Sequence, residues 1–131
     1  DWFDNKFYRE VTKIIINERV EKRFRSVEKG GGLPNTELIR LAINTMNNHL
    51  KYMEYLLERR FWLVTNKIEL ADLTAASHIS CLDYLGDIPW EKFPEIKLWY
   101  SRIKSRPSFR SILTDKIVGI PPRGNYALLD F

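Results

Sequence analysis

Apolar residues recur every three to five positions along almost the whole chain, and no stretch of any length alternates apolar with polar at a period of two. That spacing lays an apolar face along a helix and cannot lay one along a strand, so it dictates an all-α fold. Over residues 2–28 the repeat runs Phe3, Phe7, Val11, Ile14, Ile15, Val20, Phe24 and Val27, with Glu18–Lys22 and Glu21–Arg25 at the supportive i,i+4 spacing. Gly30-Gly31-Gly32 stops this helix, and Pro34-Asn35-Thr36 prepares a second, predicted over 36–60. Its apolar face reads Leu38, Leu41, Ala42, Thr45, Met46, His49, Met53, Leu56 and Leu57, which makes the first two helices long antiparallel partners. A third helix, about 69–84, carries Ala71, Ala75, Ala76, Ser77 and Ser80; side chains this small let neighbours approach closely and predict a central, buried element. Pro94 opens a fourth helix to Arg106, and Pro107 suits the first turn of a short fifth. Beyond Gly119 the periodicity ends. The expected organisation is one domain, residues 1–118 forming the bundle and 119–131 an extended tail.

A chain of 131 residues can bury one core without disulfides or metals, and 44% hydrophobic with 29% charged residues excludes a disordered composition. No apolar run reaches the roughly 18–20 residues that span a bilayer, and no signal-peptide pattern opens the chain, so membrane insertion is not expected. The single cysteine, Cys81, cannot close an internal disulfide, which points to the cytoplasm. The net charge of +4 is concentrated: Arg102, Lys104, Arg106, Arg110, Lys116 and Arg123 face only Asp115 in their segment. Such a surface attracts an acidic partner or is simply solvated, and the same choice applies to Arg19, Lys22, Arg23 and Arg25 on the first helix. With no reading helix and no stacking motif, nucleic acid is not an expected partner. Asp1-Trp2-Phe3-Asp4 reads as helix interior, which leads us to expect further chain upstream.

No constellation of side chains spells out catalysis. The glycine triplet lacks the preceding strand and the following Gly-Lys-Ser/Thr of a phosphate loop, and reads as a helix–helix connection. His49 and His78 fall on different helices without acidic or cysteine neighbours at ligand spacing, so no metal site is expected. Cys81, on a small-residue helix, is expected to be buried and inert. Asp72 lies three residues after Glu69 at the start of the third helix, where a carboxylate caps backbone N–H groups and Ile68 can staple to Leu73. Glutamate is a weak N-cap. Either that cap is lost, at about 1 kcal/mol, or Asn66 replaces it with Glu69 as its partner.

Ile68-Glu69-Leu70-Ala71-Asp72-Leu73 resembles the helix-opening motif of the glutathione-transferase C-terminal domain, with Glu69 where that family has Ser or Thr. Phe93-Pro94-Glu95-Ile96-Lys97-Leu98-Trp99 and Arg102-Ile103-Lys104-Ser105-Arg106-Pro107-Ser108-Phe109 are similar to its next two helix signatures, in the family's order and spacing. The resemblance implies a bundle of about five helices that follows a thioredoxin-like domain absent from this chain. Within that superfamily three segments are similar to a bacterial subgroup of cell-division proteins: the opening Trp2-Phe3-Asp4, the segment Ser80–Trp90, and the tail Tyr126-Ala127-Leu128-Leu129-Asp130-Phe131. That likeness implies a cytoplasmic homodimer that binds the tubulin-like filament protein FtsZ without glutathione chemistry. Tyr126, Leu129, Asp130 and Phe131 then become either a partner-binding peptide or a strap across the body of the protein. The wider superfamily implies an alternative, a transferase that conjugates glutathione to hydrophobic electrophiles. Its glutathione contacts would lie in the missing domain, leaving no catalytic residue or cofactor in this chain, and Phe3, Phe7, Tyr8 and Met53 would wall the electrophile pocket.

Overall fold

Four residues separate each of Phe3, Phe7, Val11 and Ile15, and all four side chains are buried. An α-helix of about 3.6 residues per turn lets such a strict repeat drift around its axis. Here the chain is wound more widely: Phe3–Thr12 is π-helical, with Phe7 N–H donating to Trp2 O (3.0 Å) and Lys13 N–H to Tyr8 O, five residues back in each case. This segment runs straight into α1 (Lys13–Arg19), and α2 (Thr36–Leu57), α3 (Leu70–Tyr84), α4 (Pro94–Lys104) and α5 (Pro107–Arg110) follow. The computed structural model describes residues 2–129, and among these the chain is all-α, with a single antiparallel bridge between Ile117 and Ile120. It packs as two units that divide inside α2, between His49 and Leu50.

In the first unit the chain through α1 runs antiparallel to the start of α2, as the pairs Trp2–His49, Glu10–His49 and Glu18–Asn35 record. The first helix ends earlier than its periodicity predicts. α1 ends at Val20 (φ −119°, ψ −62°), a 3₁₀ turn follows at Glu21–Arg23, and Ser26 is extended. Residues 20–32 fold back on themselves through Gly31 N–H to Ser26 O (2.8 Å) and Gly32 N–H to Lys22 O (3.3 Å). At Gly31 a Cβ would meet Arg25 O at 1.9 Å, so glycine is required by this close approach. The apolar residues assigned to the lost turns, Phe24 and Val27, are exposed.

The end of α1 is tied to the start of α2 by one side chain. Asn35 caps α2, its Oδ1 accepting from Glu37 N–H (3.1 Å) and Leu38 N–H (3.2 Å), while its own N–H donates to the buried Glu18 Oε1 (2.7 Å). Glu18 also pairs with Lys22 at 2.6 Å. Burial pushes the Glu18 carboxyl up, but hydrogen bonds from Lys22, Asn35 and Asn17 together with the Lys22 charge outweigh it and hold the pKa below its ordinary 4.5. A lowered folded pKa gives stability above the ordinary value that is lost as pH falls through the folded one. Denaturant titration of Glu18→Gln should therefore show a deficit of about 1–2 kcal/mol at pH 7 that closes below about pH 4.5. A deficit independent of pH would mean that the charge on Glu18 plays no part.

The buried stripe of α2 is Ile39, Ala42, Met46, Leu50, Met53 and Leu57: Ala42, Met46, Met53 and Leu57 are buried as expected, whereas Leu38 and Leu41 are exposed and Ile39 and Leu50 take their place. Both rows have helical spacing; the buried one is the row that continues without interruption to Leu57. In the second unit α3 covers Ala75, Ala76, Ile79 and Leu82 fully and buries Ser80, while Ala71 and Ser77 among its small residues lie on an exposed face.

Two carboxylates organise the elements around α3. Glu69 holds the N-cap position with extended backbone (φ −126°, ψ 170°), so Asn66 does not replace it. Asp72 Oδ2 accepts from Glu69 N–H (2.9 Å), while its Oδ1 accepts from Leu63 N–H (2.9 Å) and from Trp99 Nε1–H on α4 (2.9 Å). This capping acid, fully buried, thereby also fixes the preceding loop and the next helix. Ile68 is half-buried and Leu73 is 39% exposed. On α2, Glu54 accepts from Glu95 N–H (3.0 Å) and Ile96 N–H (2.9 Å), capping α4 from outside.

Candidate functional site

The tail reaches the C-terminal end of α3 through a set of directed polar contacts. Tyr84 OH donates to Ile120 O (2.5 Å) and accepts from Ile117 N–H (2.9 Å), and Tyr84 O accepts from Arg123 N–H (3.0 Å). Gly86, at φ +82°, leaves room for the Arg123 stem: a Cβ there would sit 3.0 Å from Arg123 Cβ. Tyr126 is buried, its ring edge-on to Tyr84 (5.1 Å, 78°) and its hydroxyl 3.0 Å from Ser80 Oγ. Lys104 on α4, fully buried, directs Nζ at Asn125 O (3.5 Å). One aromatic, three backbone contacts to Tyr84 and a buried cation hold residues 117–126 against the body of this unit.

Beside the strap lies a cleft of about 440 Å³ bordered by Asp83, Trp90, Lys97, Arg123 and Asn125. Trp90 Nε1–H donates to Asp83 Oδ1 (2.9 Å), and the indole stacks on Tyr100 (5.3 Å, 9°). Burial raises the Asp83 carboxyl against the opposing Trp90 bond and Lys104 charge, and burial lowers the Lys104 ammonium against the Asp83 charge. Burial also raises the Tyr126 hydroxyl, and drives that of Tyr100 far upward. The arrangement is a rigid polar anchor for a peptide segment.

The remaining candidate residues separate. Leu129 is half-buried, and Asp130 and Phe131 lie outside the described residues. Phe3, Phe7 and Met53 are buried, and Tyr8 is 40% exposed. Cys81, expected to be buried, is exposed, although burial around the sulfur raises its thiol pKa above the ordinary value. His49 is packed between Trp2 and Glu10. No group of three or more potential metal ligands occurs among the described residues. Of the basic segment, Lys104 is buried and Arg102 is spent on the loop before α3, its guanidinium 3.7 Å from the Phe61 ring and donating to Phe61 O (2.5 Å). Arg106, Arg110, Lys116 and Arg123 stay exposed. The anchoring roles of Tyr84, Ser80 and Lys104 have no signal in the sequence, because each depends on a residue more than twenty positions away.

Residues 38–107 match the family described as glutathione S-transferase, C-terminal domain. The chain belongs to that family. It is 42% identical over 130 residues to FtsZ-localized protein A of Caulobacter vibrioides (strain NA1000 / CB15N), covering 99% of this chain and 55% of that protein. Among solved structures it is similar to a glutathione S-transferase from Sinorhizobium meliloti 1021, with a TM-score of 0.95 and 42% identity. FzlA from C. crescentus superposes with a TM-score of 0.91 and 42% identity. In both, 99% of this chain corresponds to 56% of the other. The chain thus spans little more than half the length of these relatives. No helix among the described residues is long and apolar enough to cross a membrane.

Proposed function

We propose that the protein containing this domain is a non-catalytic regulator of bacterial cell division that binds FtsZ as a cytoplasmic homodimer. The observation that carries this reading is the 42% identity to FtsZ-localized protein A along 99% of the chain. The division of labour within the domain supports it. Tyr126 is anchored on Ser80 and Asp83 holds Trp90, and what the strap offers beyond Tyr126 is a short apolar and acidic peptide, Leu128-Leu129-Asp130-Phe131. Apolar anchors with one fixed charge suit recognition by another protein. Co-sedimentation of the full-length protein with polymerised FtsZ tests the proposal: the protein should appear in the pellet, and substitution of Leu129, Asp130 and Phe131 by alanine should deplete it there. No enrichment with the intact tail would refute FtsZ binding; enrichment that ignores the substitutions would move the contact off the tail.

The name of the Sinorhizobium meliloti structure keeps a second reading in view, conjugation of glutathione to hydrophobic electrophiles by the full-length protein. Retention on immobilised glutathione and turnover of a chlorinated aromatic substrate would favour it.

A further inference from the structure

We infer that His49 holds Trp2 through a hydrogen bond that the neutral imidazole alone can make, so that acidification releases the indole and loosens the start of the π-helical segment. Trp2 Nε1–H lies 3.0 Å from His49 Nδ1, and an indole N–H can only donate, so Nδ1 must present a lone pair. The ring proton then sits on Nε2 and is donated to Glu10 Oε1 at 3.0 Å. Aromatic rings pack on it: Phe7 stands edge-on to the imidazole (5.3 Å, 68°) and the Trp2 ring lies 5.6 Å from it. Both ring nitrogens are used and the side chain is only 10% exposed.

Protonation places a hydrogen on Nδ1, directed at the Trp2 N–H. Two donors then meet, and one must move. Glu10 pairs its carboxylate with the ring. Its carboxylate bonds the imidazolium more strongly than the neutral ring, so the imidazole stays in place and the indole leaves. Trp2 also supplies the carbonyl of the first i→i−5 bond, to Phe7 N–H, and its ring packs on Phe3 at 4.8 Å. Releasing the indole therefore removes a support from the entry into the first helix.

The test is a pH titration of the full-length protein, followed in ¹H–¹⁵N spectra between about pH 8 and pH 5, the span in which histidines gain their proton. The Trp2 indole resonance is assigned from its loss in Trp2→Phe. It should shift and exchange faster with solvent at the same midpoint as the His49 ring resonances. His49→Gln keeps an acceptor for the indole but cannot titrate there, and its Trp2 resonance should stay constant. Glu10→Gln alters a half-exposed side chain, and in it the two resonances should still move together. A Trp2 resonance indifferent to His49 protonation, or one that moves equally in His49→Gln, would overturn the inference.

Discussion

Asp72→Ala is expected to cost about 4 kcal/mol of unfolding free energy and about 12 °C of melting temperature, the largest single effect in the domain. Three N–H donors converge on this one carboxylate, from Leu63, Glu69 and Trp99, and the side chain is completely buried. Alanine leaves all three without an acceptor, and a stranded buried donor costs about 1–3 kcal/mol. The donors come from the loop, from the α3 N-terminus and from α4, so the loss falls on three elements at once. Asp72→Asn separates the causes. Its Oδ1 can still accept from Leu63 and Trp99, but the amide NH₂ then confronts the Glu69 N–H, so about 2 kcal/mol should be lost. Thermal and urea unfolding measure both variants, and Trp99 fluorescence in the folded state reports the loss of the indole partner. Equal costs for the two variants would show that the helix cap dominates and the two buried bonds add little.

The sequence predicted this carboxylate as a cap and nothing more, which illustrates where reading by periodicity stops. Signals that act within one turn were reliable. α2 begins after Pro34-Asn35-Thr36 as expected, with Asn35 its cap, Pro94 and Pro107 start α4 and α5, and α3 begins beside Glu69 and Asp72. The first helix was overextended because Glu18–Lys22 and Glu21–Arg25 have helical spacing. Only the first makes a close contact, 2.6 Å against 3.9 Å, and Glu18 is at the same time engaged with Asn35 seventeen residues away. On α2 two rows of apolar residues share the helical period, so spacing alone could not choose Ile39 and Leu50 over Leu38 and Leu41. The candidate site was legible as a peptide, since the tail residues were singled out, but its receptor was not. Tyr84 and Ser80 read as ordinary helix residues until the strap folds over them. Lys104 reads as one of a row of surface cations, whereas it is buried beneath Asn125.

Glu54→Ala should be the second costly substitution, at about 3 kcal/mol, although Glu54 sits on α2 and has no neighbour in sequence that needs it. The first turn of any helix leaves N–H groups without partners, and the residue before it usually supplies the acceptor. Before α4 that residue is Phe93, which has no acceptor in its side chain and is buried in the core. Pro94 removes one of the orphan donors, and Glu54 accepts from the next two, at Glu95 and Ile96. A carboxylate at a helix N-terminus also meets the positive end of the dipole, so its charge adds to the two bonds. Glu54→Gln keeps one acceptor and turns a donor on the other N–H; it should cost about half as much. Hydrogen exchange locates the effect. In Glu54→Ala the amides of Glu95 and Ile96 should lose protection together with the first turn of α4, while the amides of Glu37 and Leu38, which Asn35 caps, change only by the global loss of stability. Protection at Glu95 and Ile96 that survives the substitution would mean that α4 does not depend on a cap from α2. Phe93→Asp is no remedy, because a local cap there would place an unpaired carboxylate in the pocket that Phe93 fills.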